Sequence, residues 1–341
     1  MHRPEEQTDR TPPEISENTA AEQPRPHRRK SISSGGIALC IALSVIAVYA
    51  AVRLIGGAGL WNSLYGAFGL RSSIGAPMTE GAVTVHFVNV GQGDCALIRT
   101  GNRDILIDCG EYDEYPTVAR YLDDAGVTRL DTVIMSHPHS DHMGCMYRII
   151  ARYGAGALVM PAVQESMIPV TGSYEKLMRE LERQKISVFT AKPGTFIDTG
   201  GCGTLEVIAP MREYDDLNNS SVTVRYTYGD VSFLFTGDIE SKAESDILAS
   251  GADIKADVIK VPHHGSGTSS TRAFVQAVKP VYAVFSVKQE NDYGHPHANI
   301  VELYEALGAE ILRTDTDGSV SFSTDGHTIT VYRENALAEA A

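Results

Sequence analysis

The residue types best suited to chemistry lie in one short stretch, which holds three imidazoles and a carboxylate within six positions. His137, His139, Asp141 and His142 follow directly after the apolar run 132–135. Imidazole nitrogens are good ligands for zinc-like metals, and a carboxylate among them suits a harder cation or a second metal. Because a loop at a strand end points alternate side chains into one cleft, we expect His137 and His139 to share a metal. Asp141 and His142 then reach a neighbouring position.

Two later segments place similar residues after strand-like apolar runs. Asp238 closes a Thr-Gly-Asp triplet after the run 231–235, and His263 and His264 stand side by side after the run 257–260. Seven of the eleven histidines lie in three such loops, at positions 137, 139, 142, 263, 264, 295 and 297. Core packing would not cluster them in this way, so the pattern favours a metal centre.

These segments resemble the HxHxDH and Thr-Gly-Asp motifs of the metallo-β-lactamase-fold hydrolases. Further motifs resemble the hydrolase domain of the ComEC competence proteins and their free-standing relatives, namely Val90–Asp94, Ile107–Gly110, Asn218–Val222 and Tyr293–His297. The resemblance spans roughly residues 83–333. It implies an α/β fold of two sheets sandwiched between helices, the αββα arrangement.

The resemblance also implies roles for individual residues. In the family, the aspartate of the Thr-Gly-Asp motif bridges two metals and a later histidine completes the second site. Asp238 would therefore bridge, while His263 or His264 would join Asp141 and His142. Adjacent histidines on one strand end point in opposite directions, so only one should ligate. We assign His263 to the metal and leave His264 to bind substrate, act as an acid or cap the loop.

The expected cofactors are two divalent metal ions, zinc or manganese. Two ions about 4 Å apart can share a hydroxide that attacks phosphorus or carbonyl carbon. The candidate catalytic residues are Asp141, His264 and His295. His295 could bind a substrate phosphate or donate a proton to the leaving group.

One departure from the wider superfamily concerns the first metal. Many of its enzymes supply a third histidine to that metal between the two motifs, but this chain has no histidine from 143 to 262. The interval offers Asn218 and its neighbours instead. We therefore expect a weakly held first metal, completed by water, an Asn oxygen or substrate phosphate, which makes manganese a competitor to zinc.

Periodicity predicts alternating helices and strands from Val83 onward. The expected helices are 117–125, 143–153, 174–185, 241–249, 271–278 and 299–307. Strands are expected at 83–90, 96–98 and 105–107, and near 130–135, 187–190, 205–209, 222–227, 231–236, 257–261, 281–286 and 318–331. Periodicity alone gives only a mixed α and β chain; the resemblance supplies the layers.

The N-terminal region divides into three segments. Residues 1–31 are polar and proline-rich, which predicts a disordered cytoplasmic tail. Residues 32–54 contain the uncharged run 35–52, long enough to span a bilayer, with basic residues before it. We expect a signal anchor that leaves the hydrolase domain, 81–335, outside the cell beyond a glycine-rich linker, 55–80. A cleaved signal peptide is the alternative, because Val48-Tyr49-Ala50 resembles a cleavage site.

Charge narrows the choice of substrate. The formal net charge of the chain is −14, and the acidic surplus lies after residue 79. Such a domain repels polyanions unless metals or a basic groove compensate, which counts against tight nucleic-acid binding but not against a metal-assisted nuclease. We expect a phosphodiester-containing substrate, with DNA or a small or wall-linked ester open. The alternatives are acyl or β-lactam hydrolysis and a non-catalytic binding domain of a DNA-uptake or cell-surface system.

Overall fold

The computed structural model describes residues 82–339, in which fifteen strands form two sheets. The strands are β1 Val83–Phe87, β2 Ala96–Arg99, β3 Asp104–Ile107, β4 Leu130–Ile134, β5 Ala155–Met160, β6 Ser187–Thr190, β7 Phe196–Ile197, β8 Thr204–Ala209, β9 Thr223–Tyr228, β10 Val231–Phe235, β11 Val258–Lys260, β12 Tyr282–Phe285, β13 Glu310–Arg313, β14 Val320–Thr324 and β15 Ile329–Arg333.

The α-helices of the described residues connect these strands. They are α1 Tyr115–Asp124, α2 Ser140–Met143, α3 Met146–Tyr153, α4 Gly172–Gln184, α5 Ser241–Ser250, α6 Arg272–Val278, α7 Ala298–Ala306, α8 Thr314–Asp317 and α9 Glu334–Glu339. Short 3₁₀ turns occur at Tyr112–Glu114, Glu165–Met167 and Pro262–Gly265.

Both sheets are mixed, and each contains one group of parallel strands. The first sheet has the order β15-β14-β1-β2-β3-β4-β5-β6, and β3 to β6 run parallel. The second has the order β13-β12-β11-β10-β9-β8-β7, and β10 to β13 run parallel. Parallel strands require crossover connections, which the helices provide.

Three hydrophobic clusters define the layers. A central cluster joins side chains of both sheets, such as Phe87 of β1 and Phe233 of β10. A second cluster packs the outer face of the first sheet against α1, α3 and α4, and a third packs the second sheet against α5, α6 and α7. The mixed α/β sandwich expected from the resemblance is therefore confirmed.

The fold brings the chemistry-bearing loops to one edge. Because parallel strands end at the same side of a sheet, the loops after β3, β4, β10, β11 and β12 meet there. The loop after β1 joins them, since β1 and β3 are both antiparallel to β2.

The expected tail, membrane span and linker, residues 1–80, lie outside the described residues. Across residues 82–339, no helix is both long enough and apolar enough to cross a bilayer.

Candidate metal centre

His142 is held in a fixed orientation by a buried carboxylate. Asp108, directly after β3, accepts hydrogen bonds from the Ser136 backbone N–H at 2.7 Å and from its hydroxyl at 2.6 Å. The same carboxylate lies 2.8 Å from Nδ1 of His142. A proton on Nδ1 leaves Nε2 as a lone-pair ligand, which is the arrangement by which carboxylates support metal-bound histidines. The contact therefore makes Asp108 a support for His142.

His264 is oriented in a similar way by a backbone carbonyl. Its Nδ1 lies 2.8 Å from the carbonyl oxygen of Ser286, just after β12. Its Nε2 lies 3.4 Å from a carboxylate oxygen of Asp141 and 3.4 Å from Oδ2 of Asp238. The side chain is almost fully buried. His264 therefore directs a ligand nitrogen toward both aspartates.

Asp238 is the carboxylate around which the histidines gather. Its Oδ2 lies 3.2 Å from Nε2 of His142, 3.4 Å from Nε2 of His264 and 3.9 Å from Nε2 of His137. Its backbone N–H donates to the hydroxyl of Ser221 at 3.1 Å, which ties the loop after β10 to the segment before β9. This central place agrees with the bridging role implied by the resemblance.

The ligand atoms fit a metal better than they fit one another. Asp141, His142, Asp238 and His264 offer four ligand atoms within 4.8 Å of each other. Among the described residues, Nε2 of His142, Nε2 of His264 and Oδ1 of Asp238 are buried without a hydrogen-bond partner. Leaving such groups unpaired is costly, so a divalent cation held by Asp141, His142, His264 and Asp238 satisfies them.

The electrostatics of the cluster also favour a cation. Burial disfavours a charged imidazole at His142, but Asp238, Asp141 and Asp108 outweigh it and hold the pKa of His142 well above its usual range. Burial opposes charge on His264 as well, yet the field of Asp238 and other acids raises its pKa to about 9. The same field stabilises a divalent ion at this position.

His137 and His139 converge on a point beside this cluster. Nε2 of His137 lies 2.8 Å from Nδ1 of His139, close enough for both nitrogens to address one ion. On its other side, His137 meets the hydroxyls of Ser136 at 3.1 Å and Ser221 at 3.3 Å. In the same cleft, Oδ1 of Asn218 is buried and has no hydrogen-bond partner among residues 82–339. Asn218 is thus an available oxygen donor for the first site.

The structure distributes the adjacent histidines differently from our assignment. His264, rather than His263, belongs to the cluster with Asp141, His142 and Asp238. Nε2 of His263 lies 3.9 Å from Asp238, while its Nδ1 faces Glu240 at 3.3 Å and Thr268 at 3.3 Å. The geometry therefore favours His264 as the ligand and places His263 on the wall of the cleft. The expectation assumed that the two side chains alternate as in a strand. Both residues instead have left-handed φ values, +50° and +55°, so that alternation does not apply to them.

His295 lies at the rim of the cleft. Its ring stacks on Tyr293, with centroids 5.6 Å apart, and lies 5.6 Å from the ring of His263. Both His295 and Tyr293 line the cleft, of about 280 Å³, that also contains His139, Asp141, Asp238 and His264. Partial burial and the neighbouring histidines lower the pKa of His295 to about 4, so its imidazole is neutral at pH 7.

Sequence reasoning missed one residue of this centre. Lys260, the last residue of β11, is almost fully buried and lies 2.7 Å from a carboxylate oxygen of Asp94. A signal was present, because this lysine ends the strand-like segment 257–260 (Asp-Val-Ile-Lys), directly before the loop that carries His263 and His264. Buried lysines are rare unless they are paired.

Comparison with known proteins supports the same relationship. The sequence profile of the metallo-beta-lactamase superfamily matches residues 88–288. The chain is 27% identical to ComE operon protein 3 of Bacillus subtilis (strain 168) over 259 residues, which cover 70% of this chain and 32% of that protein. It is 31% identical to Competence protein ComA of Neisseria gonorrhoeae over 290 residues, which cover 83% of this chain and 38% of that protein. The chain thus spans about a third of the length of these relatives.

Among solved structures, the metallo-beta-lactamase fold protein YhfI from Bacillus subtilis is similar, with a TM-score of 0.46 and 13% identity. The similarity covers 70% of this chain and 98% of that chain. The superfamily profile covers more than half of the chain and includes every candidate ligand from His137 to His264. The chain therefore belongs to the metallo-β-lactamase superfamily.

Proposed function

We propose that this protein is a metal-dependent hydrolase of phosphodiester bonds. The observation that carries the proposal is the cluster of Asp141, His142, Asp238 and His264 beside an open cleft. Among the described residues, Nε2 of both histidines and Oδ1 of Asp238 are buried without a hydrogen-bond partner. A site of this composition fits divalent ions of the zinc and manganese type. A purely structural site would be closed, whereas a catalytic one keeps an accessible position.

The residues around that cluster have separate roles: some would hold the metal ions, others orient the ligands, and His295 contacts the substrate. Divalent ions held there would supply a Lewis acid and lower the pKa of a bound water. Asp108 and the Ser286 carbonyl hold a proton on Nδ1 of His142 and of His264, so Nε2 is the nitrogen that each would offer to a metal ion. His295, neutral and at the rim, donates a hydrogen bond to a non-bridging oxygen of the substrate.

The choice of phosphodiester over acyl substrates rests on the first site. Its nitrogen donors are His137 and His139, and Asn218 offers an oxygen in place of a third imidazole. Oxygen-richer coordination favours manganese, an ion that commonly serves phosphoryl chemistry. The relative from Neisseria gonorrhoeae is named as a competence protein, which adds DNA to the candidate substrates.

The test uses the purified full-length chain, stripped of metal and reloaded with manganese or zinc. We expect cleavage of bis-p-nitrophenyl phosphate or single-stranded DNA, and loss of both activity and bound metal in His264→Ala. His327→Ala is the matched control, because His327 is exposed and pairs with Asp230, which precedes β10 at the end opposite to Asp238. Hydrolysis of nitrocefin without any phosphodiesterase activity would instead identify an acyl hydrolase. Full metal occupancy without turnover of any substrate would favour a binding domain.

The comparison of His263→Ala with His264→Ala separates the two histidines. If His264 is the ligand, His264→Ala lowers metal content, whereas His263→Ala retains it. The opposite result would restore the assignment made from the sequence.

The location is part of the proposal. We propose that residues 32–54 anchor the protein in the membrane with the hydrolase domain outside the cell, where it meets DNA or wall-linked phosphodiesters. The support is the uncharged run 35–52 and the basic residues before it. Protease added to intact cells should then remove the C-terminal domain. Protection of that domain until the cells are lysed would refute the orientation.

A further inference from the structure

A buried ion pair lies directly beneath the metal centre. Nζ of Lys260 lies 2.7 Å from Oδ2 of Asp94, and their side chains are only 4% and 8% exposed. The ammonium also lies 3.4 Å from the carbonyl oxygen of Gly237, the residue before Asp238. Because salt and water screen a buried ion pair only weakly, each of its charges acts on the charged groups nearby.

The pair touches the ligand cluster on two sides. Nζ of Lys260 lies 3.9 Å from Oδ1 of Asp238, whereas the histidine nitrogens gather at Oδ2 of the same carboxylate. Oδ1 of Asp94 lies 3.4 Å from Nδ1 of His264. Lys260 therefore approaches one oxygen of Asp238 while the histidines approach the other, and Asp94 faces Nδ1 of His264 rather than its ligand nitrogen, Nε2.

The charges of the centre show what this pair can do. Four carboxylates converge here, those of Asp94, Asp108, Asp141 and Asp238, and Lys260 adds a fixed positive charge. Two divalent ions alone would balance the four carboxylates. Lys260 therefore makes the loaded centre one charge more positive than the carboxylates and ions alone would, which favours an anionic phosphodiester.

We propose that Lys260 and Asp94 are a positioning pair that sets the charge of the metal centre, so that it holds its ions less tightly and accepts an anionic substrate. Lys260 repels a divalent ion and attracts a phosphodiester, while Asp94 limits both effects. The part that concerns the substrate rests on the proposed phosphodiesterase function; the part that concerns metal binding does not.

The pair has a consequence that simple packing would not produce, because its two members act in opposite directions. Lys260→Met removes the positive charge, so the apparent Kd for Mn²⁺ should fall about tenfold. Asp94→Asn leaves the lysine unbalanced, so the Kd should rise about tenfold. The double variant removes both charges and should bind Mn²⁺ almost as the unaltered protein does.

Isothermal titration of the metal-stripped full-length chain with MnCl₂ measures these constants. Lys255→Met is the matched control, because Lys255 is exposed and lies before β11, at the opposite end of that strand. Lys260→Arg, which keeps the charge, should stay close to the unaltered Kd. Weaker Mn²⁺ binding in both single variants would show that the pair only supports the fold and would overturn the proposal. Should Lys260→Met fail to fold, a higher Kd in Asp94→Asn with an unchanged Kd in Lys260→Arg would still support the proposal, and any other combination would overturn it.

A substrate comparison tests the second half. Lys260→Met should raise KM for anionic bis-p-nitrophenyl phosphate about tenfold and leave KM for neutral p-nitrophenyl acetate nearly unchanged. An equal change for both esters would refute the charge argument. If the unaltered protein cleaves neither these esters nor single-stranded DNA, the proposed function fails, and the Mn²⁺ titration still decides the role of the pair.

Discussion

Replacing Asp108 with Asn tests how the second metal site depends on the strand beneath it. The carboxylate accepts hydrogen bonds from both the backbone and the hydroxyl of Ser136 and from Nδ1 of His142. Asp108 has a φ of +54°, a left-handed conformation that Asn tolerates almost as well as Asp. The substitution therefore preserves shape and backbone and changes only the ability to accept.

The size of the effect follows from these contacts. If the Asn oxygen stays on the Ser136 N–H, its amide nitrogen faces Nδ1 of His142, which must then become an acceptor. The proton of His142 moves to Nε2, the nitrogen that faces Asp238, and blocks ligation. Loss of such support lowers metal affinity by roughly 10- to 100-fold, about 1.4 to 2.8 kcal/mol. Separately, the loss of a hydrogen bond to a buried charge lowers the free energy of unfolding of the metal-free protein by ~1.5–3 kcal/mol.

Two measurements separate these effects: Mn²⁺ titration of the metal-stripped chain and urea unfolding of the same sample. Asp257→Asn is the matched control, because Asp257 likewise accepts from the N–H and hydroxyl of one serine, Ser232, but lies before β11 at the other end of the sheet. We expect both variants to lose stability and only Asp108→Asn to lose metal affinity. Unchanged Mn²⁺ affinity in Asp108→Asn, or an equal loss in Asp257→Asn, would refute the reasoning.

Three further predictions concern stability. Burial lowers the pKa of His86 to about 3, so as the pH falls from 6.5 to 5 the unfolded chain binds a proton that the folded chain does not. The free energy of unfolding should therefore fall by up to ~2 kcal/mol over this range. His86→Gln should flatten this part of the plot of urea-unfolding stability against pH, and an unchanged plot would contradict the prediction. Gly93→Ala places a Cβ 2.2 Å from the carbonyl oxygen of Asp141 at a φ of +133° and should lower the melting temperature well below that of Gly201→Ala, where the same Cβ meets open space. Removal of metal by EDTA should lower the free energy of unfolding by ~2.7 kcal/mol relative to protein held at a metal concentration 100 times its Kd. No change on EDTA treatment would show that bound metal does not stabilise the fold.

Much of the fold could be predicted from local sequence patterns. The expected strand at 187–190 matches β6, and the expected helices at 174–185 and 241–249 match α4 and α5 to within two residues. These elements have clear periodicity and clear ends. Periodicity does not predict β5, because its sequence Ala-Gly-Ala-Leu-Val-Met neither alternates nor contains more than two residues that are buried in the fold. Gly156 is needed there, since a Cβ would come within 2.5 Å of the carbonyl oxygen of Asp131 on β4.

The choice between His263 and His264 could not be made from the sequence. The expectation assumed that the two histidines continue a strand, in which neighbours alternate. The chain instead turns sharply after β11, and both residues adopt left-handed φ values. What decides their roles is the partner of each Nδ1, the Ser286 carbonyl for His264 and Glu240 for His263. Both partners come from distant parts of the chain, so only the folded structure shows them.

The structure also predicts the order in which the two sites fill. At the second site, Nε2 of His142 and Nε2 of His264 are buried without a hydrogen-bond partner among the described residues, and the carboxylates that face them, Asp141 and Asp238, would ligate the same ion. At the first site, an ion must replace the hydrogen bond between His137 and His139. That bond is worth ~1 kcal/mol net, and the first site lacks a carboxylate ligand equivalent to Asp141 of the second site.

We therefore expect two separable binding steps, the tighter one at the second site. His139→Ala should abolish only the weaker step of a Co²⁺ titration followed by visible absorption, and His264→Ala should abolish the tighter one. His139 lies at the surface of the cleft and His264 deep within it, so the weaker ion is also the more accessible to substrate. Loss of the tighter step in His139→Ala would show that the order is reversed, and that the shared hydrogen bond between the two imidazoles marks the better-organised site.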